Sequence, residues 1–343
     1  MKIPITQSEM WQNLQRDLGE ESFLESKPDY HYLAILNKTP IGNYLYCPYG
    51  PCFNDRKAFE NSLKSLKKLA SAHNAIFIRV EPQSANFAKF APKNAVKTKD
   101  LNPKETWLLD LTGPDEELKN KLPSRLLRYY KSAAKKGITI ETSKKPADIK
   151  YLLKLQKALA SEKGINTFSE EYLMTELKQP FATLYLVSKH DDPNISTDNQ
   201  TTSQVSRQTG SSKRESDVVS QAKIDSKDSF KNIIAAGLVF DDDKTRYNLQ
   251  GAQSDEGRKL HATGILTVQL ILDAKKKGLN TFDFWGIAPE GASPDHPWAG
   301  FTNFKKTFAG HEKDYAGTYD LVLNPLKYKL YTSIRKLNRI IRK

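Results

Sequence analysis

Short apolar runs bounded by polar or Gly/Pro clusters recur along the chain at YHYLAILN (Tyr30 to Asn37), NAIFIRVEP (Asn74 to Pro82), TWLLDL (Thr106 to Leu111), GITIET (Gly137 to Thr142) and NTFDFWGI (Asn280 to Ile287). Their length and their β-branched and aromatic content predict strands. Apolar residues spaced three and four apart predict helices over Arg56–His73, Pro123–Lys136, Ile149–Lys163, Lys259–Lys277 and Pro325–Ile341. Pro123 opens one of these and Gly137 follows it, the expected asymmetry of helix ends. Leu260, Gly264, Val268 and Ile271 form one face of another, with Gly278 as its stop. Helix-then-strand repetition predicts mixed α/β domains, and without a heptad run no coiled-coil arm is expected.

Two further β-like runs, FATLYLVSK (Phe181 to Lys189) and NIIAAGLVFDDD (Asn232 to Asp243), flank a segment rich in Ser, Asp, Gln and Lys. That segment, from His190 to about Ser229, carries too little apolar surface to offset its ordering entropy. It reads as a disordered insertion at a hairpin tip, because pairing of the flanks closes a long loop at a cost that grows only logarithmically. A chain of 343 residues exceeds one ordinary core, so two domains are expected.

Charge narrows the choice of partners. Lys and Arg number 53 against 40 Asp and Glu, and this excess favours polyanions such as nucleic acid, nucleotide diphosphates or an anionic membrane face. The N-terminus has no basic-then-apolar signal pattern, and no apolar run reaches the length of a membrane span, so a cytoplasmic protein is expected. Cys47 and Cys52 read as small apolar residues in a reducing compartment. The six His lack metal-ligand spacing, and P-loop, G-x-G-x-x-G and G-x-S-x-G motifs are missing. No metal and no resident cofactor is therefore expected.

The segment from Thr281 to Pro325 is the most informative. Phe301, Phe304 and Phe308 recur at helical spacing before Gly310, predicting a short buried helix with Lys305 inside its apolar arc and Lys306 on the far side. A buried-face ammonium needs a partner or a polar cleft, unless its stem lies on the Phe rings and its head reaches water. In TFDFWGI, Asp283 and Trp285 alternate with Phe282 and Phe284, so Asp283 could line a cleft, pair with Lys305 or cap the following loop. Asp110, closing WLLDL, is either a base or, on the more conservative reading, the polar stop before Thr112. Arg125, Arg128, Lys131 and Lys135 share one broad helix face with no acid, suited to phosphate contacts or simply to solvation. At the C-terminus Leu330, Ile334, Leu337 and Ile341 make an apolar stripe among basic residues, which either docks on the body of the protein or meets an anionic bilayer surface.

The order GAQSDEGRKLHATGILTVQLILDAKKKGLN, FDFWGI, DHPWAGFTNFKKTFAG and YAGTYDLVLNPLKYKLY resembles the FemABX family of peptidoglycan aminoacyltransferases. YCPYGP (Tyr46 to Pro51), WLLDL with RLLRYYKSAAKKGITIE, and YNLQGAQ (Tyr247 to Gln253) fall where that family carries corresponding motifs. The resemblance implies two tandem domains of the GCN5-type acetyltransferase (GNAT) fold without a coiled-coil arm. The first spans 1–143 and is completed by a C-terminal helix within 317–343; the second spans 144–316. It also implies a monomeric transferase that moves the aminoacyl group of an aminoacyl-tRNA onto a stem-peptide amine of lipid II or of UDP-MurNAc-pentapeptide. By motif position Lys305 is the cationic oxyanion stabiliser, held by Phe304, and Asp110 a candidate general base. Arg246, Tyr247, Arg258, Asp283, Trp285 and Tyr46 are candidate substrate contacts, and Arg125, Arg128 and Lys131 candidate tRNA or phosphate contacts. Tyr49 stands where the family commonly has arginine, and Gln250 where it commonly has tyrosine. The rivals are an acetyl-CoA-dependent acetyltransferase and a non-catalytic RNA-binding protein. The first is disfavoured because His261, in RKLHAT, replaces the first glycine of a pyrophosphate-binding turn.

Overall fold

The computed structural model describes residues 1–163, 167–190 and 232–341. The chain forms two compact units, one of residues 1–108, 285–305 and 311–343, the other of residues 109–284 and 306–310. In chain order the first unit opens with α1 (Glu9–Asp17), β1 (Ser22–Ser26), β2 (Tyr30–Asn37), β3 (Asn43–Cys47), β4 (Cys52–Phe53), α2 (Arg56–Ala72), β5 (Ala75–Val80) and β6 (Ala95–Lys97). β7 (Glu105–Asp110) carries the chain into the second unit. There follow α3 (Asp115–Lys121), α4 (Ser124–Lys131), β8 (Ile138–Ser143), α5 (Ile149–Lys163), α6 (Glu170–Lys178), β9 (Ala182–Lys189), β10 (Ile233–Asp241), β11 (Thr245–Gln253), α7 (Asp255–Lys259), α8 (Ala262–Lys276) and β12 (Thr281–Gly286). The return to the first unit brings α9 (Ala299–Lys306), β13 (His311–Asp314), β14 (Tyr319–Val322) and α10 (Pro325–Ile341).

The first unit is built on a sheet of order β1-β2-β3-β5-β14-β6, with β4 also on β2. β3 and β5 run parallel, and the long return from the C-terminal third supplies β14 as antiparallel partner to both β5 and β6. Asp55 caps α2 by accepting from the Ala58 amide, and Phe59, Leu63, Leu66 and Ala70 of that helix meet Leu45, Ile78, Val80 and Leu321 in one core. α10 adds a second cluster, Tyr328 and Tyr331 with Ile76 and Phe77. Arg79 and Asp320 pair side by side across β5 and β14, fully buried and bidentate at 2.7 and 2.8 Å, and the Tyr328 hydroxyl donates to the same carboxylate at 2.8 Å. An arginine inside the apolar run IFIRVE is thus paired rather than solvated.

The second unit contains the order β12-β11-β10-β9-β8. β9 and β10 pair antiparallel from Ala182↔Phe240 to Ser188↔Ile233, so the two runs flanking the polar segment form the expected hairpin. Of the insertion read from His190 to about Ser229, all but His190 lies outside the described residues. β11 and β12 run parallel, and β10 slips register at Leu238/Val239 against β11. The mixed α/β class and the two compact units agree with the sequence expectation, and the described residues contain no coiled-coil arm. β8, which the 1–143 division placed in the first domain, belongs to the second unit.

Three helix expectations are corrected. The Pro123–Lys136 helix is α4 plus a separate 3-10 turn at Ala134–Lys136, closed by Gly137 at φ 65°. The Lys259–Lys277 helix breaks at His261, which adopts φ 57°, so Leu260 lies outside α8. Gly264 lets α4 approach α8 closely: a Cβ there would meet Leu126 Cδ2 at 2.6 Å. The third correction is α9, which ends at Lys306 and therefore excludes Phe308; Phe308 is buried, whereas Phe301 is exposed.

Two side-chain amides and a buried carboxyl are linked in the second unit. Gln156 donates to Gln250 at 2.9 Å, and Gln250 donates to Glu176 at 3.0 Å. Burial pushes the Glu176 carboxyl from 4.5 up to about 8, against the lowering effect of a hydrogen bond from Tyr172. Because the folded state holds this proton more tightly than the unfolded chain, the group's contribution is fully present below pH about 4.5 and is lost as pH rises towards about 8. Within that window stability falls by up to about 1.4 kcal/mol per pH unit from this group. Glu176→Gln should remove that slope and raise stability at neutral pH, as denaturant unfolding at several pH values would read out.

Candidate active site

Lys305 lies near the end of α9 and is half-buried, whereas Lys306 is exposed, as the helical spacing predicts. Thr302, one turn earlier, fixes the helix: its hydroxyl donates to the Trp298 carbonyl at 2.9 Å and accepts from the Ala288 amide at 2.7 Å. The Lys305 ammonium donates to the carbonyl oxygens of Gly286 at 2.5 Å and Trp285 at 3.4 Å. Both acceptors are neutral dipoles at the end of β12, so these two bonds orient the cation without cancelling its charge. Phe304, beside it on α9, is also half-buried.

The backbone presenting those carbonyls is itself shaped. Trp285 adopts φ 63°, a conformation uncommon for a bulky residue. Its ring meets Tyr49 edge-on at 5.5 Å, and Tyr49 packs on Tyr315 at 5.1 Å while its hydroxyl donates to the Pro103 carbonyl. Tyr49 is a buried aromatic support here, which gives a structural reason for tyrosine at this motif position. Behind it, buried Glu81 accepts from the Tyr46 hydroxyl at 2.9 Å, the Asn102 side chain at 2.8 Å, the Thr318 hydroxyl at 2.7 Å, and the amides of Tyr49 and Asn102. Sequence reasoning passed over Glu81. Its signal is the same as that of Asp110, a carboxylate closing an apolar strand.

Tyr46 is thus tied to Glu81, and burial first, then Glu81, pushes its hydroxyl up. In the second unit Arg246 is fully buried, bidentate to Asp241 at 2.7 Å and donating also to the Leu270 carbonyl and the Tyr185 hydroxyl. The guanidinium of this candidate substrate contact is thus engaged inside the fold. Tyr247 is buried with its hydroxyl on Asp242, and it stands opposite Asp283 in the β11–β12 register. Asp283 is buried in that sheet, flanked by fully buried Phe282 and Phe284. Arg258 stays exposed on α7 near Asp255.

Asp110 is exposed, and its carboxylate accepts from the Thr112 amide at 3.0 Å and hydroxyl at 2.8 Å, with Lys121 at 3.7 Å. Those Thr112 bonds hold it below the usual aspartate value. This is the polar stop of β7, the conservative reading of that residue. Arg125, Arg128 and Lys131 are exposed on α4, and Arg128 and Lys131 line a groove of about 480 Å³ with Ser124, Leu127, Ser132 and Lys135. Beside it the Tyr129 ring stacks on His261 at 4.4 Å and carries the guanidinium groups of Arg125 and Arg128 at 5.4 and 5.9 Å.

The site is thus a cation on a short helix, held by carbonyl oxygens at a strand end. The FemAB family profile matches residues 173–336. The chain is similar to the lipid II:glycine glycyltransferase of Staphylococcus aureus (strain USA300), 22% identical over 88% of this chain and 82% of that protein. Among solved structures it is similar to the crystal structure of FemX, with a TM-score of 0.70, 17% identity and coverage of 95% and 94%. It is also similar in fold to L-PGS from Bacillus licheniformis, with a TM-score of 0.53, 13% identity and 99% of both chains covered. Over residues 173–336 and across its fold, the chain is similar to the FemABX family of aminoacyltransferases.

Proposed function

We propose that this protein transfers the aminoacyl group of an aminoacyl-tRNA to a stem-peptide amine of a peptidoglycan precursor, either lipid II or UDP-MurNAc-pentapeptide. The observation that carries the reading is the Lys305 ammonium, held by two backbone carbonyls on the family's FK helix. An aminoacyl ester is already activated, so the protein has to position an amine against the carbonyl carbon and stabilise the oxyanion that forms there. The amine adds, the ester oxygen of the tRNA ribose leaves, and the proton lost by the amine returns to that ribose oxygen. A fixed cation lowers the cost of the negative charge without itself exchanging a proton. Asp110, exposed and occupied by Thr112, is better suited to closing its strand than to accepting that proton. Similarity to lipid II:glycine glycyltransferases supports the acceptor class.

α4 suits the RNA partner. Its basic groove and the Tyr129–His261 stack combine phosphate-contacting cations with an aromatic pair, a surface that fits a polynucleotide backbone. At the start of α8 that stack occupies the place where a pyrophosphate-binding turn needs glycine, which disfavours acetyl-CoA as donor. Replacing Arg128 or Lys131 by alanine should weaken tRNA binding and lower the salt slope by about one each. Filter binding across a salt series would measure both. The function itself is tested by incubating labelled charged tRNA with lipid II: label on the lipid supports the reading, and label that stays on tRNA with either precursor contradicts it.

A further inference from the structure

The C-terminal helix is docked by one side only. Tyr328 and Tyr331 are buried against Phe77, and Arg335 folds back onto the Tyr331 hydroxyl at 3.2 Å. The stripe that the sequence allowed to dock on the body of the protein does not do so over the described side chains. Leu330 is 53% exposed, Ile334 37% and Leu337 57%, and Leu326 extends the stripe one turn earlier at 80%. At about 100° per residue these four lie within roughly 80° of helix surface, with Tyr331 about 60° and Tyr328 about 120° beyond its Ile334 edge. Exposed Lys327 borders the stripe on one side and exposed Lys329 and Lys336 on the other. From Pro325 to Lys343 the sequence holds seven Lys and Arg and no acid.

We propose that this outward face of α10 is a docking surface for an anionic phospholipid bilayer, with the four apolar side chains entering the interface and the flanking lysines meeting lipid phosphates. Stable interfacial binding takes both an apolar stripe and basic flanks, and α10 has the two on one face. A second copy of the chain fits less well, because pairing two such stripes would bring their flanking lysines together. RNA would satisfy the lysines and leave the row of leucines unexplained. The proposal deepens the lipid-linked form of the acceptor reading and rests on it for its setting, although binding itself needs no substrate.

The test is co-sedimentation of the full chain with vesicles of phosphatidylcholine alone and of phosphatidylcholine with one quarter phosphatidylglycerol. Binding to the anionic vesicles only, weakened by salt and reduced about tenfold in a Leu330→Ser/Leu337→Ser variant, is the expected result. Because both leucines are exposed, the variant should keep its fold and its transfer to detergent-solubilised lipid II. That vesicle-free reaction separates the two ideas, since it reports the transferase reading whatever the vesicles show. Absence of the wild-type chain from the pellet, or equal binding by the serine variant, overturns the proposal. So does a self-association, or an RNA affinity, that the serine variant abolishes while vesicle binding is nil.

Discussion

On the proposed role of Lys305, Lys305→Met should lower the rate of aminoacyl transfer by about a thousandfold, with tRNA affinity nearly unchanged. Loss of a single preorganised oxyanion-stabilising group costs about a hundred- to a thousandfold in other acyl transfers, and a full positive charge belongs at the upper end. Methionine keeps the length and apolar stem of the side chain and removes only the ammonium. The carbonyls of Gly286 and Trp285 then lose a donor, a local cost of about 1–3 kcal/mol that leaves the unit folded. Single-turnover transfer, together with thermal melting and tRNA binding on the same sample, separates the catalytic effect from a structural one. Wild-type rates in this variant would remove Lys305 from the chemistry.

Asp320→Asn destabilises the first unit by about 3–5 kcal/mol, the usual consequence of leaving a buried guanidinium without its counter-charge. Arg79 and Asp320 are 2% and 1% exposed, so solvent cannot take over the role of the lost carboxylate. The Tyr328 hydroxyl loses its charged acceptor in the same step, and with it one anchor of α10. Urea unfolding should show the loss, and a compensating Arg79→Met in the same chain should recover much of it, because no unpaired charge then remains. A change of less than about 1 kcal/mol in the single variant would mean that water reaches the pair.

These sites differ in how far sequence alone reveals them, for physical reasons. Central strands such as β2 and β9 are buried on both faces, so their apolar runs stand out and their bounds were read within a residue. β1, β6 and β13 are short or half-exposed and carry no such pattern. α9 was legible through the FK spacing, but its buried contact is Thr302 rather than a phenylalanine row, because the helix stops before Phe308. Arg246 and Arg79 look alike in sequence to any anion-binding arginine; only the partners Asp241 and Asp320 show that both are internal. Glu81 gathers donors from three separate stretches of chain, which no local pattern can announce. On α10 the periodicity was plain, yet which face docks was decided by the pair Tyr328 and Tyr331 rather than by the leucines.

The most direct test of the account supplies a mixed pool of charged tRNA, each amino acid labelled, to the full chain with lipid II and UDP-MurNAc-pentapeptide in separate reactions and acetyl-CoA as a parallel donor. The account predicts label from tRNA on at least one precursor, none from acetyl-CoA, and loss of that label with Lys305→Met. Label from acetyl-CoA alone, or no transfer to either precursor, would contradict it.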